Sequence, residues 1–284
     1  MLRNTFCHLP GVAAKTERKL WERGVYSWDD YIVATGTPVA RFLPSVKECV
    51  EESMERLEAR DPGFFARGLS AKESWRLFAD FRDSIAYLDI ETNGYVGPTG
   101  YITAISVYDG KDVKYYVKGQ NLGDFKRDMA RFKVVVTYNG KCFDIPFIER
   151  DLNVRMPKAH IDLRYILRDL GFSGGLKGCE RQLGINRGAL DGVDGYFAVL
   201  LWYDFKKNKN QKALETLLAY NIQDVVNLEP LLVAAYNMKL RNTPFQSTHS
   251  IAAPHPPESQ FTADVATIRR ISESHPSYAP VALR

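Results

Sequence analysis

The chain has 284 residues and a net charge of +4, with 45% hydrophobic and 25% charged residues. This length is sufficient for one sizeable domain and a smaller one, and no apolar run approaches the ~20 residues of a membrane helix. The first segment, MLRNTFCHLPGV, lacks the apolar core of a signal peptide, and the cysteines form no CxxC pair. We therefore expect a cytoplasmic protein with reduced thiols and no membrane association. The mildly basic charge is compatible with a nucleic-acid partner without requiring one.

Helix-forming residues dominate the first part of the chain, and we expect a small all-helical N-terminal domain over residues 1–80. The composition changes near Ser84. Four apolar, β-rich runs follow, at 84–90, 101–108, 113–117 and 132–138. They predict strands, and the Gly-containing turns between the first three indicate consecutive antiparallel strands.

Helices and one more strand complete the predicted sheet. NLGDFKRDMARF predicts a short helix before the fourth strand, and KAHIDL predicts a fifth strand. Most of the remaining sequence to about Leu240 has helical periodicity. This order indicates an α/β fold, a mixed sheet flanked by helices, over residues 82–240. Residues 241–284 contain APHPPES and SHPSYAP, and their Pro- and Ser-rich composition predicts a flexible tail.

Two carboxylates stand at the end of the first predicted strand. Asp89 and Glu91, in SIAYLDIETNG, are two residues apart, so their side chains point to the same face. Such pairs are common on solvated surfaces, where they have no special role. The apolar residues before the pair and the TNG turn after it instead favour a ligand site at the end of a buried strand. A cation between the two acids would relieve their repulsion.

Two further acids are candidates for the same site. Asp144 follows a strand that breaks at Asn139-Gly140, and it is either a first-turn helix acid or a partner of the first pair. Tyr220 and Asp224 are four residues apart and share one helical face in an apolar segment. They are either a core aromatic residue and an exposed acid, or a functional pair. In the second case Asp224 needs a metal, a basic residue or a hydrogen bond as its partner.

Three short motifs thus occur in order along the chain: DIE (Asp89, Glu91), NGKCFD (Asn139, Phe143, Asp144) and YNIQD (Tyr220, Asp224). The ordered set resembles the DEDD superfamily of 3′–5′ exonucleases, which have a ribonuclease H-like fold, over about residues 82–240. The segment HIDL…GLKGCERQLGI is similar to the stretch between the second and third motifs of these enzymes. Tyr220, preceded by Ala219 where the other branch has histidine, resembles the tyrosine (DEDDy) branch. The sequences around the motifs resemble a bacterial group of predicted ribonuclease H-like exonucleases.

The resemblance implies a mechanism with two divalent cations. Asp89, Glu91, Asp144 and Asp224 would hold two Mg²⁺ or Mn²⁺ ions about 4 Å apart, because carboxylate oxygens suit these hard cations better than zinc. One ion would activate a water molecule, the other would stabilise the leaving 3′ oxygen, and Tyr220 would orient the water. The implied reaction is hydrolysis of the terminal phosphodiester of DNA or RNA, releasing a nucleoside 5′-monophosphate.

A basic segment near the N-terminus is a candidate for nucleic-acid contact. Residues 9–32 resemble one helix-hairpin-helix element, in which Lys15, Arg18 and Lys19 follow a Pro-Gly turn. The element has Ala13 where a second glycine is usual. The alternative is a small helical hairpin that packs its leucine and tryptophan side chains into a core, and the missing glycine favours this interpretation.

Other polar residues give weaker indications. Asn139 and Phe143, in the second motif, are further candidates for nucleic-acid binding by resemblance. The basic run DFKKNKNQK, with Lys206 and Lys207, is either a solvated loop or a contact to the substrate backbone. We expect Asp162, in KAHIDL together with a histidine, to have a structural role.

Two alternative functions remain compatible with these motifs. A non-catalytic nucleic-acid-binding protein on the same fold is one, but four clustered negative charges would repel phosphates and give such a protein no advantage. A metal-dependent endonuclease or resolvase is the other, and the Tyr-x-x-x-Asp spacing favours an exonuclease over it. The sequence does not distinguish DNA from RNA or single strands from duplexes.

Overall fold

The computed structural model of the chain describes residues 1–34 and 46–275. Its strands are β1 (Ile85–Thr92), β2 (Ile102–Tyr108), β3 (Val113–Val117), β4 (Val134–Thr137) and β5 (Ala159–Asp162). They form one sheet in the order β3-β2-β1-β4-β5. β2 pairs antiparallel with both β1 and β3, whereas β4 is parallel to both β1 and β5. The sheet is therefore mixed, as predicted, and each strand overlaps the run that predicted it.

Helices flank this sheet. They are α1 (Ala14–Trp21), α2 (Trp28–Val33), α3 (Lys47–Glu58), α4 (Pro62–Gly68), α5 (Phe78–Phe81), α6 (Phe125–Met129), α7 (Asp144–Leu152), α8 (Leu163–Asp169), α9 (Gly175–Gln182), α10 (Gly195–Asn208), α11 (Gln211–Leu240), α12 (Gln246–His249) and α13 (Val265–Ser274). A 3₁₀ helix, Ala71–Leu77, connects α4 to α5. The predicted fold class, an α/β mixed sheet flanked by helices, is confirmed.

Alternate residues of β1 face different hydrophobic clusters. The even-numbered residues within Ala86–Ile90 pack with α6 and α7 on one side of the sheet. Ile85 and Tyr87 belong to the cluster that contains α11. Because side chains alternate along a strand, Asp89 and Glu91 continue the second row. The periodicity of β1 therefore directs both acids toward α11.

The helix α11 is 30 residues long, or about 45 Å, and most of its side chains are buried. It packs across β1 and β2 and against α10. A helix that is buried on most sides is apolar around its circumference, so each polar side chain on it requires a partner. Neither α11 nor any other helix of the described residues combines the length and apolar character needed to cross a membrane.

The described N-terminal residues are helical and share a hydrophobic cluster with the sheet. Leu20 and Trp28 are 1% and 0% exposed and belong to the same cluster as Val134 of β4. A buried ion pair of 2.7 Å between Arg76 and Glu17 fastens α1 to the 3₁₀ helix. The segment 9–32 therefore packs as a helical hairpin, and its separate role in DNA binding stays a prediction. Residues 35–45 of the predicted N-terminal domain lie outside the described residues.

The predicted flexible tail is partly helical. α13 begins after Asp264, whose side chain accepts a hydrogen bond of 2.7 Å from the N–H of Thr267. Ile268 and Ile271 are buried in the cluster formed with α10 and α11. The prediction of a flexible tail is therefore wrong for α13. Tertiary burial stabilises this helix, which the Pro- and Ser-rich composition of the surrounding sequence does not indicate. The last part of that prediction, residues 276–284, lies outside the described residues.

Candidate metal centre

Three carboxylates from β1 and α11 meet beside the sheet. One oxygen from each of Asp89, Glu91 and Asp224 lies within 4.8 Å of the other two. Glu91 and Asp224 are buried, and Asp89 is half-buried. At that separation, two ionised carboxylates repel by about 3.5 kcal/mol at an effective dielectric constant of ~20. The ionised cluster is therefore unfavourable unless cations or protons neutralise it.

The pKa values of the acids reflect this repulsion. Burial, followed by the charges of Asp144, Asp224 and Glu91, raises the pKa of Asp89 well above its usual value. Burial and the charge of Asp224 also raise the pKa of Glu91, against the opposing effect of Lys177. Burial raises the pKa of Asp144 to about 7, although backbone hydrogen bonds act against it. A divalent cation would stabilise the ionised forms, so the cluster has the electrostatics of a cation site.

Asp144 is the fourth acid and comes from the first turn of α7. Its Oδ1 accepts a hydrogen bond of 3.2 Å from the N–H of Ile90 in β1. That contact lies beyond the last pair of the β1–β4 ladder, Tyr87 with Val136. Asp144 is thus a first-turn acid, as one alternative proposed, but it is also tied to β1 and close enough to raise the pKa of Asp89.

The turn that leads to Asp144 is held by Asp162 at the end of β5. The fully buried Asp162 accepts hydrogen bonds from the backbone N–H groups of Asn139 at 2.7 Å, Lys141 at 3.1 Å and Arg164 at 3.1 Å. Asn139 has a φ of +66°, in the left-handed region that asparagine adopts more readily than most residues. Asp162 therefore has a structural role, which positions the start of α7.

Tyr220 lies one turn before Asp224 on α11 and is 2% exposed. Burial, followed by the charge of Asp224, raises the pKa of its hydroxyl well above the usual value. Lys177 of α9 donates a hydrogen bond to the Tyr220 oxygen, and its Nζ lies 3.8 Å from Oδ2 of Asp224. The Tyr220 oxygen already accepts a hydrogen bond and its proton is firmly held, so its remaining capacity is to donate.

Arg187 is the partner that Asp224 was expected to need. Its guanidinium donates one hydrogen bond to Oδ1 of Asp224 and another, of 2.8 Å, to Oε2 of Glu180. Asn227 donates to the other oxygen of Glu180 at 2.8 Å. All four side chains are buried. Asp224 is therefore a buried acid and not an exposed one. Its partner in the structure is a basic residue, one of the three kinds of partner that the sequence left open.

The donor set fits hard divalent cations. Five carboxylates and two cationic side chains occupy this region, namely Asp89, Glu91, Asp144, Glu180 and Asp224 with Lys177 and Arg187. The excess of negative charge matches one or two divalent ions, and carboxylate oxygens are the ligands that Mg²⁺ and Mn²⁺ prefer. Asn221 donates a hydrogen bond of 2.7 Å to Oδ2 of Asp89 and so orients the carboxylate.

The other predicted nucleic-acid contacts lie outside this cluster. Phe143, next to Asp144, is 40% exposed. The Asn139 side chain accepts a hydrogen bond of 2.5 Å from Arg164. The basic candidates are exposed on α1 and in the last turn of α10: Lys15, Arg18, Lys19, Lys206 and Lys207. Among the described residues, none of these side chains makes an ion pair with the acids, and their contacts with nucleic acid stay predictions.

Three side chains near the acids were not predicted from the sequence, namely Lys177, Arg187 and Asn221. Lys177 lies within GLKGCERQLGI, which the resemblance singled out without giving it a role, and Arg187 follows two residues after that segment. Asn221 is adjacent to Tyr220 in YNIQD. For Asn221 the available signal was a polar residue in an apolar helix, but such a signal does not name the partner that packing supplies.

The fold and the acids together define a class of protein. The family model of the RNase H superfamily matches residues 86–236. The chain belongs to this superfamily.

Two comparisons with individual proteins accompany the family match. The chain is similar to the uncharacterized protein YprB of Bacillus subtilis (strain 168), with 27% identity over 195 residues, which are 60% of this chain and 46% of that protein. The chain thus spans about half the length of this curated relative. Among solved structures it is similar to the family B DNA polymerase from the hyperthermophilic archaeon Pyrobaculum calidifontis, with a TM-score of 0.41 and 17% identity. That similarity covers 55% of this chain and 24% of the polymerase.

Proposed function

We propose that this protein is a metal-dependent 3′–5′ exonuclease that hydrolyses terminal phosphodiesters of DNA or RNA and releases nucleoside 5′-monophosphates. One observation carries the proposal: carboxylate oxygens of Asp89, Glu91 and Asp224 converge within 4.8 Å of one another on the sheet of an RNase H-superfamily chain. The DEDDy motif order, with Tyr220 one turn before Asp224, supports the exonuclease activity in particular.

Four acids would hold the divalent cations: Asp89, Glu91, Asp144 and Asp224. When bound, Mg²⁺ or Mn²⁺ supplies activation of water and stabilisation of the negative charge that develops on the phosphate and the leaving oxygen. The acids themselves act by fixing the position of this charge. Their position between β1 and α11 lowers the effective dielectric constant, which strengthens each electrostatic interaction.

Tyr220 has an orienting role in this proposal. Its raised pKa keeps the hydroxyl protonated at neutral pH, which makes it a poor general base. Because Lys177 already donates to its oxygen, the Tyr220 proton is available to the attacking water or to a phosphate oxygen. Lys177 also places a positive charge beside Asp224, where it limits the net charge of the acid cluster.

The test is a product ladder from 5′-end-labelled single-stranded DNA and RNA, with Mg²⁺, Mn²⁺ or EDTA. We expect stepwise shortening from the 3′ end with either metal and no reaction in EDTA. Asp89→Asn and Glu91→Gln should each reduce the rate at least about 10³-fold, because each removes a charged ligand at little change in shape. Glu55→Gln, which alters an exposed acid on α3, is the matched control and should retain full activity.

Blocked and circular substrates separate this proposal from the alternatives. An exonuclease is inactive on a circle and on a chain whose 3′ end is blocked. Cleavage of either substrate would instead identify an endonuclease or resolvase. Binding without any metal-dependent cleavage would identify a non-catalytic nucleic-acid-binding protein.

A further inference from the structure

We propose that Arg187 is a positioning residue of the metal centre, which holds Asp224 so that one of its two carboxylate oxygens is presented to the ion. The inference rests on the metal site of the proposed function, but it does not depend on the reaction or on the substrate.

The structural basis is a closed ring of hydrogen bonds that joins α9 and the loop after it to one turn of α11. Asp224 and Asn227 are three residues apart on α11. Arg187 donates hydrogen bonds to both Asp224 and Glu180. Asn227 closes the ring by donating a hydrogen bond of 2.8 Å to Glu180. Glu180 is 0% exposed and Arg187 is 6% exposed. Hydrogen bonds between side chains this deeply buried are held in place, so the ring restrains the rotation of the Asp224 side chain.

The two oxygens of Asp224 have different environments. Oδ1 accepts the hydrogen bond from Arg187. Oδ2 has Lys177 Nζ at 3.8 Å, a distance that exceeds a normal hydrogen bond. Oδ2 would therefore be the oxygen left for an ion held by Asp89 and Glu91, while Arg187 retains Oδ1. This division of one carboxylate between protein and metal is the usual way in which an outer partner orients a ligand.

Only an arginine can make this bridge. Its planar fork donates to two carboxylates at once in a fixed geometry, whereas the ammonium of lysine is a single point charge. The positioning role and the charge of Arg187 therefore predict opposite effects on metal affinity. Charge alone would repel a divalent cation, so removing the charge should tighten metal binding. If Arg187 positions Asp224, removing it should weaken metal binding.

The experiment is calorimetric titration of Mn²⁺ into the full-length chain, with near-UV circular dichroism to verify the fold of each variant. Arg187→Gln and Arg187→Lys should each weaken Mn²⁺ binding by about 10-fold or more, and should change the Mn²⁺ electron paramagnetic resonance spectrum. Arg181→Gln is the matched control. Arg181 is exposed and lines the same cavity of about 240 Å³ as Lys177 and Arg187, so its loss tests charge without the bridge and should leave Mn²⁺ affinity equal or slightly higher.

Each result supports or overturns the inference. If Arg187→Gln does not fold, Arg187→Lys and Asn227→Ala decide, because the second variant loosens Glu180 without changing any charge and should also weaken Mn²⁺ binding. Equal or tighter Mn²⁺ binding by Arg187→Gln would overturn the positioning role, and so would a wild-type affinity in Arg187→Lys. A wild-type chain that binds no Mn²⁺ would instead refute the metal site on which the proposed function depends.

Discussion

Replacing Asp144 by Asn should stabilise the protein at pH 8 when divalent cations are removed. The substitution retains an Oδ1 atom that can accept the 3.2 Å hydrogen bond from the N–H of Ile90. It removes one negative charge from the neighbourhood of Asp89, whose pKa Asp144 raises. Asp144, which we expect to be required for activity, should thus lower the stability of the protein when no metal is bound.

The magnitude follows from the pKa of Asp144, which is 3.8 for an unperturbed aspartate and about 7 in the folded protein. Because the folded state binds the proton more tightly than the unfolded state, the metal-free protein loses stability as the pH rises through this interval. The loss is complete above pH 7. Three powers of ten in proton affinity correspond to about 4 kcal/mol, since a tenfold change is about 1.4 kcal/mol. Asp144→Asn should therefore gain up to about 4 kcal/mol at pH 8 and only about 1 kcal/mol at pH 4.5.

Urea unfolding in EDTA measures this gain, and the fitted slope shows whether both proteins unfold in the same two-state manner. Saturating Mn²⁺ at pH 8 should stabilise the wild type more than Asp144→Asn, because the ion neutralises the charge that the variant has already lost. Glu55→Gln should match the wild type both in its stability in EDTA and in its stabilisation by Mn²⁺. The reasoning fails if Asp144→Asn is less stable than the wild type at pH 8, or if its gain is the same at both pH values.

Two further predictions concern the hydroxyl and the basic helix. Tyr220→Phe should slow hydrolysis about 10²-fold, as the loss of one oriented donor does, while Mn²⁺ affinity stays unchanged; an unaltered rate would contradict the orienting role. Replacing Lys15, Arg18 and Lys19 together by alanine should weaken DNA binding. The slope of log K against the logarithm of the salt concentration should become less steep by up to about 3. These side chains are exposed, whereas deletion of the whole segment would also remove the buried Trp28. Unchanged affinity at low salt would show that this helix does not contact DNA.

Local sequence patterns determined the strands and the direction of the first acids. The alternation in SIAYLDIET places Asp89 and Glu91 in the row of β1 that faces α11, because side chains two apart on a strand share a face. The motif order grouped Asp144, Tyr220 and Asp224 with the first acids as candidate site residues, since resemblance links residues that lie far apart in the chain. The fold prediction was confirmed because it depends on short-range geometry, which the sequence contains, whereas the roles of these site residues stay predictions.

Tertiary structure alone decided the partners of the acids and the fate of the tail. Arg187 is 37 residues from Asp224, and Asn221 is 132 residues from Asp89. No local periodicity specifies such contacts, because they follow from how β1 and the loop after α9 pack on α11. Likewise α13 is helical because Ile268 and Ile271 are buried against α10 and α11, a stabilisation that its composition does not reveal. The sequence alone determined which acids the chain carries, and packing decided which basic and amide side chains hold them in place.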